Sequence, residues 1–210
     1  MTAGRIIETE ADIAEGAAWL ERAAPDFAPL LATVGSLPLR RQADGFPALL
    51  DAIISQQVSV QSAAAIKAKL VQAGLASEEA ILKASDDDLR ACGFSRQKIR
   101  YAKALAGARL DYAGIRALPD GEVVSTLVAV PGIGRWTAEV YGIIALGRAD
   151  MFAAGDLALQ EAARIAFDLP ARPGEREFAA MAEAWRPWRA IAARALWAYY
   201  RHVKQRDGIW

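Results

Sequence analysis

The sequence predicts an all-α protein, and three observations lead to this fold class. Apolar residues recur at helical spacing in several segments, capping residues precede those segments, and no segment of useful length alternates with the period of a strand. Hydrophobic residues make up 54% of the 210 residues and charged residues 24%, as expected for a packed globular chain. This length is sufficient for one large domain or for two small ones that share a cleft, and we expect two helical subdomains that flank a cleft.

The first 45 residues predict a short helical extension. Thr9 and Asp12 have the spacing of a capping box, which predicts a helix ending near Glu21. A second short helix is predicted from Asp26 to Thr33. Proline, glycine and several charges make residues 38–45 a connector. We therefore expect residues 1–45 to pack as an N-terminal helical extension on the rest of the chain.

Residues 46–210 predict the core, which consists of two interleaved helical subdomains. Its first helix carries an apolar face that begins at Phe46 and ends at Ile54. Serine and proline residues indicate where most of the later helices begin. The residues that indicate a helix start are Ser59, Ser77, Ser85 with Asp88, Ser95 and Pro119. The later helices are predicted over Arg135–Leu146, Asp156–Phe167, Glu175–Trp185 and Pro187–Lys204, the last with proline in its first turn.

Composition excludes several classes of site. With one cysteine, Cys92, and one histidine, His202, the chain cannot form an internal disulfide, a Cys-rich zinc site or an iron–sulfur cluster by itself. No secretion signal and no apolar run of membrane-spanning length is apparent, so we expect a cytoplasmic monomer with no membrane contact, associated with the nucleoid if bacterial. The formal net charge is zero, which counts modestly against binding of nucleic acid unless the positively charged side chains are concentrated on one face.

A tight turn between two predicted helices is the most specific local feature. Pro131 ends one helix, Gly132 and Gly134 allow a sharp reversal, and the next helix begins at once. Successive backbone N–H groups at a helix N-terminus form a nest that can bind a phosphate oxygen without a basic side chain. The alternative is a glycine-containing turn that only connects two packed helices.

Asp156 is the candidate functional carboxylate. It follows Gly155 and precedes a helical segment, so it also has the position of an ordinary N-cap. The two interpretations are compatible, because a helix N-terminus favours the anionic form of a carboxyl group.

Several dispersed segments together resemble the helix-hairpin-helix DNA glycosylase superfamily, and are especially similar to its 3-methyladenine DNA glycosylase II branch. Their order along residues 46–200 is that of the family, which is more specific than one Pro-Gly-x-Gly turn. The resemblance implies a helix-hairpin-helix motif beside a cleft that binds DNA and a flipped base. The matching segments are 54–59, 93–98, 130–138, 150–152, 155–156, 185–189 and 196–197.

The resemblance assigns the chemistry to Asp156. In the family, the matching carboxylate stabilises the positive charge that develops on the deoxyribose as the base leaves, and it could also orient the attacking water. Bifunctional relatives carry a lysine in the second helix of the hairpin, where this sequence has Trp136. We therefore expect hydrolysis of the N-glycosidic bond of alkylated purines such as 3-methyladenine, with no lyase step.

The resemblance also assigns the DNA contacts and the ion. It implies that the backbone of the hairpin and its second helix holds a DNA phosphate together with a bound monovalent cation, sodium or potassium, and that no other cofactor is required. The residues implied in phosphate binding are Gly132, Gly134, Arg135 and Thr137, and the carbonyl groups implied near the cation are those of Val128, Val130 and Ile133.

A base-flipping enzyme needs a wedge and a pocket. Gln57 matches the intercalating position of the family, where near relatives carry leucine. The aromatic residues that match or lie near the family's pocket are Trp136, Trp197, Phe46 and Tyr141, with core packing as the alternative for each.

The start of the helix that follows Ser95 carries a basic cluster. Its residues Arg96 and Lys98 are candidates for phosphate contacts, and a solvated basic face is the alternative.

Three other functions remain open from the sequence. These are a non-catalytic helix-hairpin-helix DNA-binding protein, a glycosylase for a different damaged base and a small-molecule enzyme with an all-α pocket. The expected partner is double-stranded DNA that contains alkylated bases.

Overall fold

A computed structural model describes residues 4–204. Residues 1–3 of the predicted extension and residues 205–210 of the predicted core lie outside this range. The all-α prediction is confirmed: within this range, the only extended pairing is a single antiparallel bridge between Ile6 and Arg148. The helices are α1 (Glu10–Ala23), α2 (Phe27–Val34), α3 (Phe46–Ser55), α4 (Val60–Gln72), α5 (Glu78–Lys83), α6 (Asp86–Ala91), α7 (Arg96–Ala108), α8 (Tyr112–Ala117), α9 (Asp120–Val128), α10 (Arg135–Ile144), α11 (Leu157–Ala166), α12 (Glu175–Ala182) and α13 (Arg189–Lys204), with a 3-10 turn at Glu183–Trp185.

Local capping determines where most helices begin. Thr9 and Ser85 form the two predicted capping boxes, each with an aspartate three residues later that accepts from the cap's backbone N–H. Two predictions were inaccurate. The last helix begins at Arg189, and Pro187 precedes it with a cis peptide bond, so proline does not occupy its first turn. Helix α8, capped by the side chain of Asp111, was not predicted at all.

The chain divides into two compact units, each described by itself. The first unit contains residues 42–141, and the second contains residues 4–41 and 142–204 of the described chain. Helices α1 and α2 of the predicted N-terminal extension belong to the second unit, where they pack on α13. Within residues 4–204, no helix combines the length and apolar character that crossing a membrane requires.

In the first unit, α7 packs against α3, α5 and α6. The buried side chains Ile99, Ala102 and Leu105 recur along one face of α7, as expected for an amphipathic helix. Helix α3 contributes the apolar face that begins at Phe46, and all of its predicted apolar residues are buried. This packing fixes the position of the turn that follows α3.

In the second unit, α13 packs against α11, α2 and α1. A Cβ atom on Gly16 would lie 2.6 Å from Ile191 and 2.7 Å from Trp188, so glycine allows the close approach of α1 and α13. Trp185 and Trp188 are buried, and Trp185 joins an aromatic cluster whose ring centroids lie 5.1–6.0 Å apart. Trp185 and Trp188 thus pack within the second unit.

Candidate nucleic-acid interface and active-site carboxylate

The predicted hairpin is formed by α9, a turn over residues 129–134 and α10. Gly132 has a φ of +97°, which a residue with a side chain rarely adopts. A Cβ atom at this position would lie 2.4 Å from Cγ of Tyr101, so the turn packs directly on the ring of Tyr101. The N–H group of Ile133 donates to the carbonyl of Val130 at 3.0 Å, which closes the turn. Glycine at 132 is therefore required by both conformation and space.

The N-terminus of α10 faces open space. A Cβ atom on Gly134 would meet no atom within 4 Å, and Trp136 in the first turn of α10 is 36% exposed. Arg135 forms an ion pair with Glu139 at 2.8 Å, whereas Thr137 is buried. A ligand could thus approach the positive end of the helix dipole at this point.

The turn after α3 is tied to the hairpin by a side chain. Nε2 of Gln56 donates to the carbonyl of Gly132 at 2.9 Å. The next residue, Gln57, is exposed and has a φ of +56°, a left-handed conformation. The predicted wedge residue therefore lies at the tip of a turn that is anchored to the predicted phosphate site. Sequence reasoning missed the anchoring roles of Gln56 and Tyr101, although Gln56 belongs to a segment that matches the family.

The structure corrects the expectation for Lys98. Its side chain is 7% exposed, and Nζ donates to the carbonyl of Ile54 at 2.5 Å. Burial lowers the pKa of this amine. Lys98 thus stabilises the C-terminal end of α3 instead of presenting its charge to a phosphate. Arg96, two residues earlier, is exposed, and its predicted phosphate contact stays a prediction.

Asp156 is the N-cap of α11. Its Oδ1 accepts from the backbone N–H groups of Ala158 at 2.8 Å and of Leu159 at 2.9 Å. The residue is only 6% exposed. The two N–H donors and the helix N-terminus both stabilise a negative charge at this carboxylate. This geometry is that of an N-cap, and the catalytic role of Asp156 stays a prediction.

Asp150, the other carboxylate near Asp156 in the sequence, has a different environment. It forms ion pairs with Arg186 at 2.8 Å and with Arg189 at 2.9 Å, and Glu183 pairs with the same two arginines. These contacts join the loop before α11 to the start of α13. This network gives Asp150 a structural role.

Two aromatic residues predicted for the base pocket lie inside the first unit. The hydroxyl of Tyr141 accepts from the backbone N–H of Gly45 at 2.9 Å, and burial raises the pKa of Tyr141. Phe46 is 5% exposed and lines a cavity of about 790 Å³ together with residues of α5 and α7. Both side chains pack within the first unit. Their predicted contacts with a base stay predictions.

Trp197, in the second unit, has a cationic environment. It is 6% exposed and lines a small recess with Arg40, Arg194 and Arg201. The predicted stacking of Trp197 on a base stays a prediction, as does that of Trp136, which is 36% exposed.

The carbonyl groups predicted to hold a monovalent cation belong to Val128, Val130 and Ile133. Val128 ends α9 and is 44% exposed, while Val130 and Ile133 are buried within the turn. A carbonyl oxygen has two lone pairs, so Val130 can accept from Ile133 and still ligate a cation. Three carbonyls near one turn fit a hard cation that prefers oxygen. Within residues 4–204, no group of three or more His, Cys, Asp or Glu residues could hold a metal ion.

A family model described as "HhH-GPD superfamily base excision DNA repair protein" matches residues 50–189. This range contains the anchored turn, the hairpin and Asp156. The chain belongs to the HhH-GPD superfamily. The family that the sequence resembles is thereby confirmed.

Two relatives come from Schizosaccharomyces pombe. The chain is 32% identical over 122 residues to an alkylbase DNA glycosidase-like protein, mag2, a match that covers 56% of the chain and 57% of that relative. It is also 32% identical over 160 residues to DNA-3-methyladenine glycosylase 1, covering 71% of the chain and 69% of the relative. The matched part of the chain therefore corresponds to 57% of the length of the first relative and 69% of the length of the second.

A solved structure has the same fold. The S. pombe 3-methyladenine DNA glycosylase Mag1 in complex with abasic DNA matches with a TM-score of 0.76 and 27% identity, covering 90% of the chain and 97% of that structure. The match in fold therefore extends beyond residues 50–189, which the family model covers.

Proposed function

We propose that this protein is a monofunctional DNA glycosylase that removes alkylated purines such as 3-methyladenine from double-stranded DNA. It acts as a cytoplasmic monomer and hydrolyses the N-glycosidic bond with water. The observation that carries this proposal is the buried carboxylate of Asp156 at the N-terminus of α11, in a chain whose family repairs DNA by base excision. The names of the two S. pombe relatives support the choice of alkylated bases.

The carboxylate acts on the charge that develops during the reaction. Departure of the base leaves positive charge on the deoxyribose, and the fixed negative charge of Asp156 lowers the energy of that state. At about 4 Å and an effective dielectric constant near 20, the interaction is worth about 4 kcal/mol before desolvation is subtracted. Loss of the charge should therefore slow base release by about 10²–10³-fold.

The hairpin and the turn that contains Gln56 and Gln57 bind the DNA and take no part in the chemical step. The N–H groups at the start of α10 hold a backbone phosphate, and a sodium or potassium ion on the carbonyls of the turn would add positive charge there. Gln57 fills the space left by the flipped base, and Trp136 stacks on that base. Trp136 has no amine with which to form a Schiff base, so the DNA strand remains intact.

The test is a base-release assay on alkylated duplex DNA with the Asp156→Asn variant. Asparagine is as good an N-cap as aspartate, so this change removes the charge and keeps the cap of α11. The matched control is Asp111→Asn, because Asp111 caps α8 by accepting from Gly114 at 2.9 Å. We expect both variants to unfold at nearly the native temperature and only Asp156→Asn to lose base release.

Three results would contradict the proposal. Equal base release by the native chain and Asp156→Asn would remove the carboxylate from the mechanism. Strand cleavage without alkali or heat would exclude a monofunctional enzyme. Binding to duplex DNA with no base release from any alkylated substrate would favour a non-catalytic binding protein.

A further inference from the structure

The chain enters Asp156 through a tight turn of the second unit. The N–H group of Asp156 donates to the carbonyl of Ala153 at 3.0 Å, so Ala154 and Gly155 are the central residues of this turn. The φ of Gly155 is not positive. Inversion of the peptide between the central residues requires a positive φ at the second one, which glycine adopts without steric cost. Local sequence therefore leaves the turn able to invert.

A buried side chain holds the turn in one of these two forms. Nε2 of Gln160 donates to the carbonyl of Ala154 at 2.8 Å, and Gln160 is 5% exposed. This carbonyl belongs to the peptide that rotates when the turn inverts. Inversion therefore breaks the bond and leaves the buried amide of Gln160 without its acceptor, which is unfavourable.

Gln160 also holds the chain on the other side of Asp156. Its backbone N–H donates to the carbonyl of Asp156 at 3.0 Å, the first hydrogen bond of α11. Because Oδ1 of Asp156 accepts from the N–H groups of Ala158 and Leu159, the carboxylate is fixed relative to the first turn of this helix. Gln160 thus bonds to the chain both before and after Asp156, and the direction of the carboxylate depends on both bonds.

We propose that Gln160 is a positioning residue for Asp156. Its amide keeps the turn in the form that directs the carboxylate of Asp156 at the deoxyribose, and its own side chain does not act on the substrate. This inference rests on the proposed glycosylase function. Displacement of a reacting group by about 1 Å can slow a reaction about 100-fold, so a hydrogen bond behind the carboxylate is sufficient to control the rate.

Single-turnover base release by Gln160→Met tests the proposal. Methionine keeps the length of the side chain and removes the donor. We expect the rate to fall about 10–100-fold, while the affinity for abasic duplex DNA changes by less than about twofold, because loss of this bond displaces only the reacting carboxylate. Asp156→Asn combined with Gln160→Met should be no slower than Asp156→Asn alone, because Gln160 acts only through that carboxylate.

Two further variants separate positioning from stability. The matched control is Ile191→Val, which removes one methylene group from a fully buried position of the same unit. Ile191→Val and Gln160→Met should both lower the Tm by about 2–6 °C, and only Gln160→Met should slow base release.

Gly155→Ala tests the inversion itself. A Cβ atom at this position would lie 3.5 Å from the carboxyl group of Glu175, which is an ordinary contact, and alanine disfavours the positive φ of the inverted turn. Added to Gln160→Met, this change should restore the rate about tenfold, because the turn no longer inverts readily.

Three results would overturn the positioning role alone. These are a native rate in Gln160→Met, an equal loss of rate in Ile191→Val, and no rescue by Gly155→Ala. Gln160→Glu, which keeps the shape of the side chain and replaces the donor with an acceptor, gives the same test if Gln160→Met does not fold. No base release by the native chain would instead overturn the proposed function, and the positioning role with it.

Discussion

The two glycines of the hairpin give the sharpest test of its geometry. Gly132→Ala places a Cβ atom 2.4 Å from Cγ of Tyr101 at a φ of +97°, whereas Gly134→Ala meets no atom within 4 Å. Backbone strain of this kind is worth about 1–3 kcal/mol, and overpacking adds about 1–3 kcal/mol. Gly132→Ala should therefore reduce the free energy of unfolding by at least about 2 kcal/mol. Gly134→Ala should change it by less than about 0.5 kcal/mol.

Thermal unfolding and DNA binding separate the two effects. For a chain of this size, a loss of about 2 kcal/mol lowers the Tm by about 4–8 °C. Gly134→Ala should keep the native Tm and still weaken binding to abasic duplex DNA by about tenfold, because its methyl group obstructs the approach of a phosphate to the amides of α10. Equal Tm values for the two variants would refute the proposed packing of the turn. Native DNA affinity in Gly134→Ala would refute the phosphate site.

Two further predictions concern the first unit and the N-terminal helix. Lys98→Met should destabilise the protein by about 1–3 kcal/mol, since it leaves the carbonyl of Ile54 without its donor. It should not change the slope of log DNA affinity against log salt concentration. Arg96→Gln should leave stability unchanged and reduce that slope by about one. The backbone N–H of Glu8, with the hydroxyl and N–H of Thr9, holds the pKa of Asp12 well below its usual range. The stability that Asp12 contributes is therefore present above about pH 4 and is lost as the pH falls through its folded pKa, so Asp12→Asn should flatten acid unfolding monitored by circular dichroism below pH 4.

The helix starts could be predicted because capping is local. Ser59, Ser77 and Ser95 each accept from the N–H group three residues later, at 3.2–3.3 Å, and the serine is visible in the sequence. Helix α8 escaped prediction because its six residues are too short to show helical periodicity. Its cap, Asp111, resembles any other aspartate in a connector.

The orientation of the basic cluster on α7 could also have been predicted. Residues four apart lie on one face of a helix, whereas residues two apart point in different directions. Arg96 and Arg100 therefore share an exposed face, and Lys98 lies beside the buried Ile99 and Ala102. Arg96 and Lys98 are close along the chain, but helical spacing places them on different faces of α7. That Nζ of Lys98 meets the carbonyl of Ile54 depends on how α7 packs on α3, which no local signal reveals.

The membership of residues 4–41 in the second unit could not be predicted either. In the sequence, these residues are followed by the connector and by α3, which belong mainly to the first unit. A local sequence pattern cannot show that α1 and α2 pack on α13. Gly16 is the one position where the sequence carries part of that information, since its lack of a side chain admits Ile191 and Trp188. A lone glycine in a helix, however, indicates a close contact without identifying the helix that makes it.

Asp156 differs from most helix caps of this chain in both charge and burial. Thr9, Ser59 and Ser85 cap their helices with neutral side chains at exposed positions, whereas Asp156 caps α11 at a buried one. Burying a carboxylate is costly, and a serine would accept a backbone N–H there without burying a charge. Capping alone thus explains an oxygen at position 156 but not a negative charge. Asp156→Ser should keep the cap of α11 and lose base release, like Asp156→Asn, because only the charge acts on the departing base.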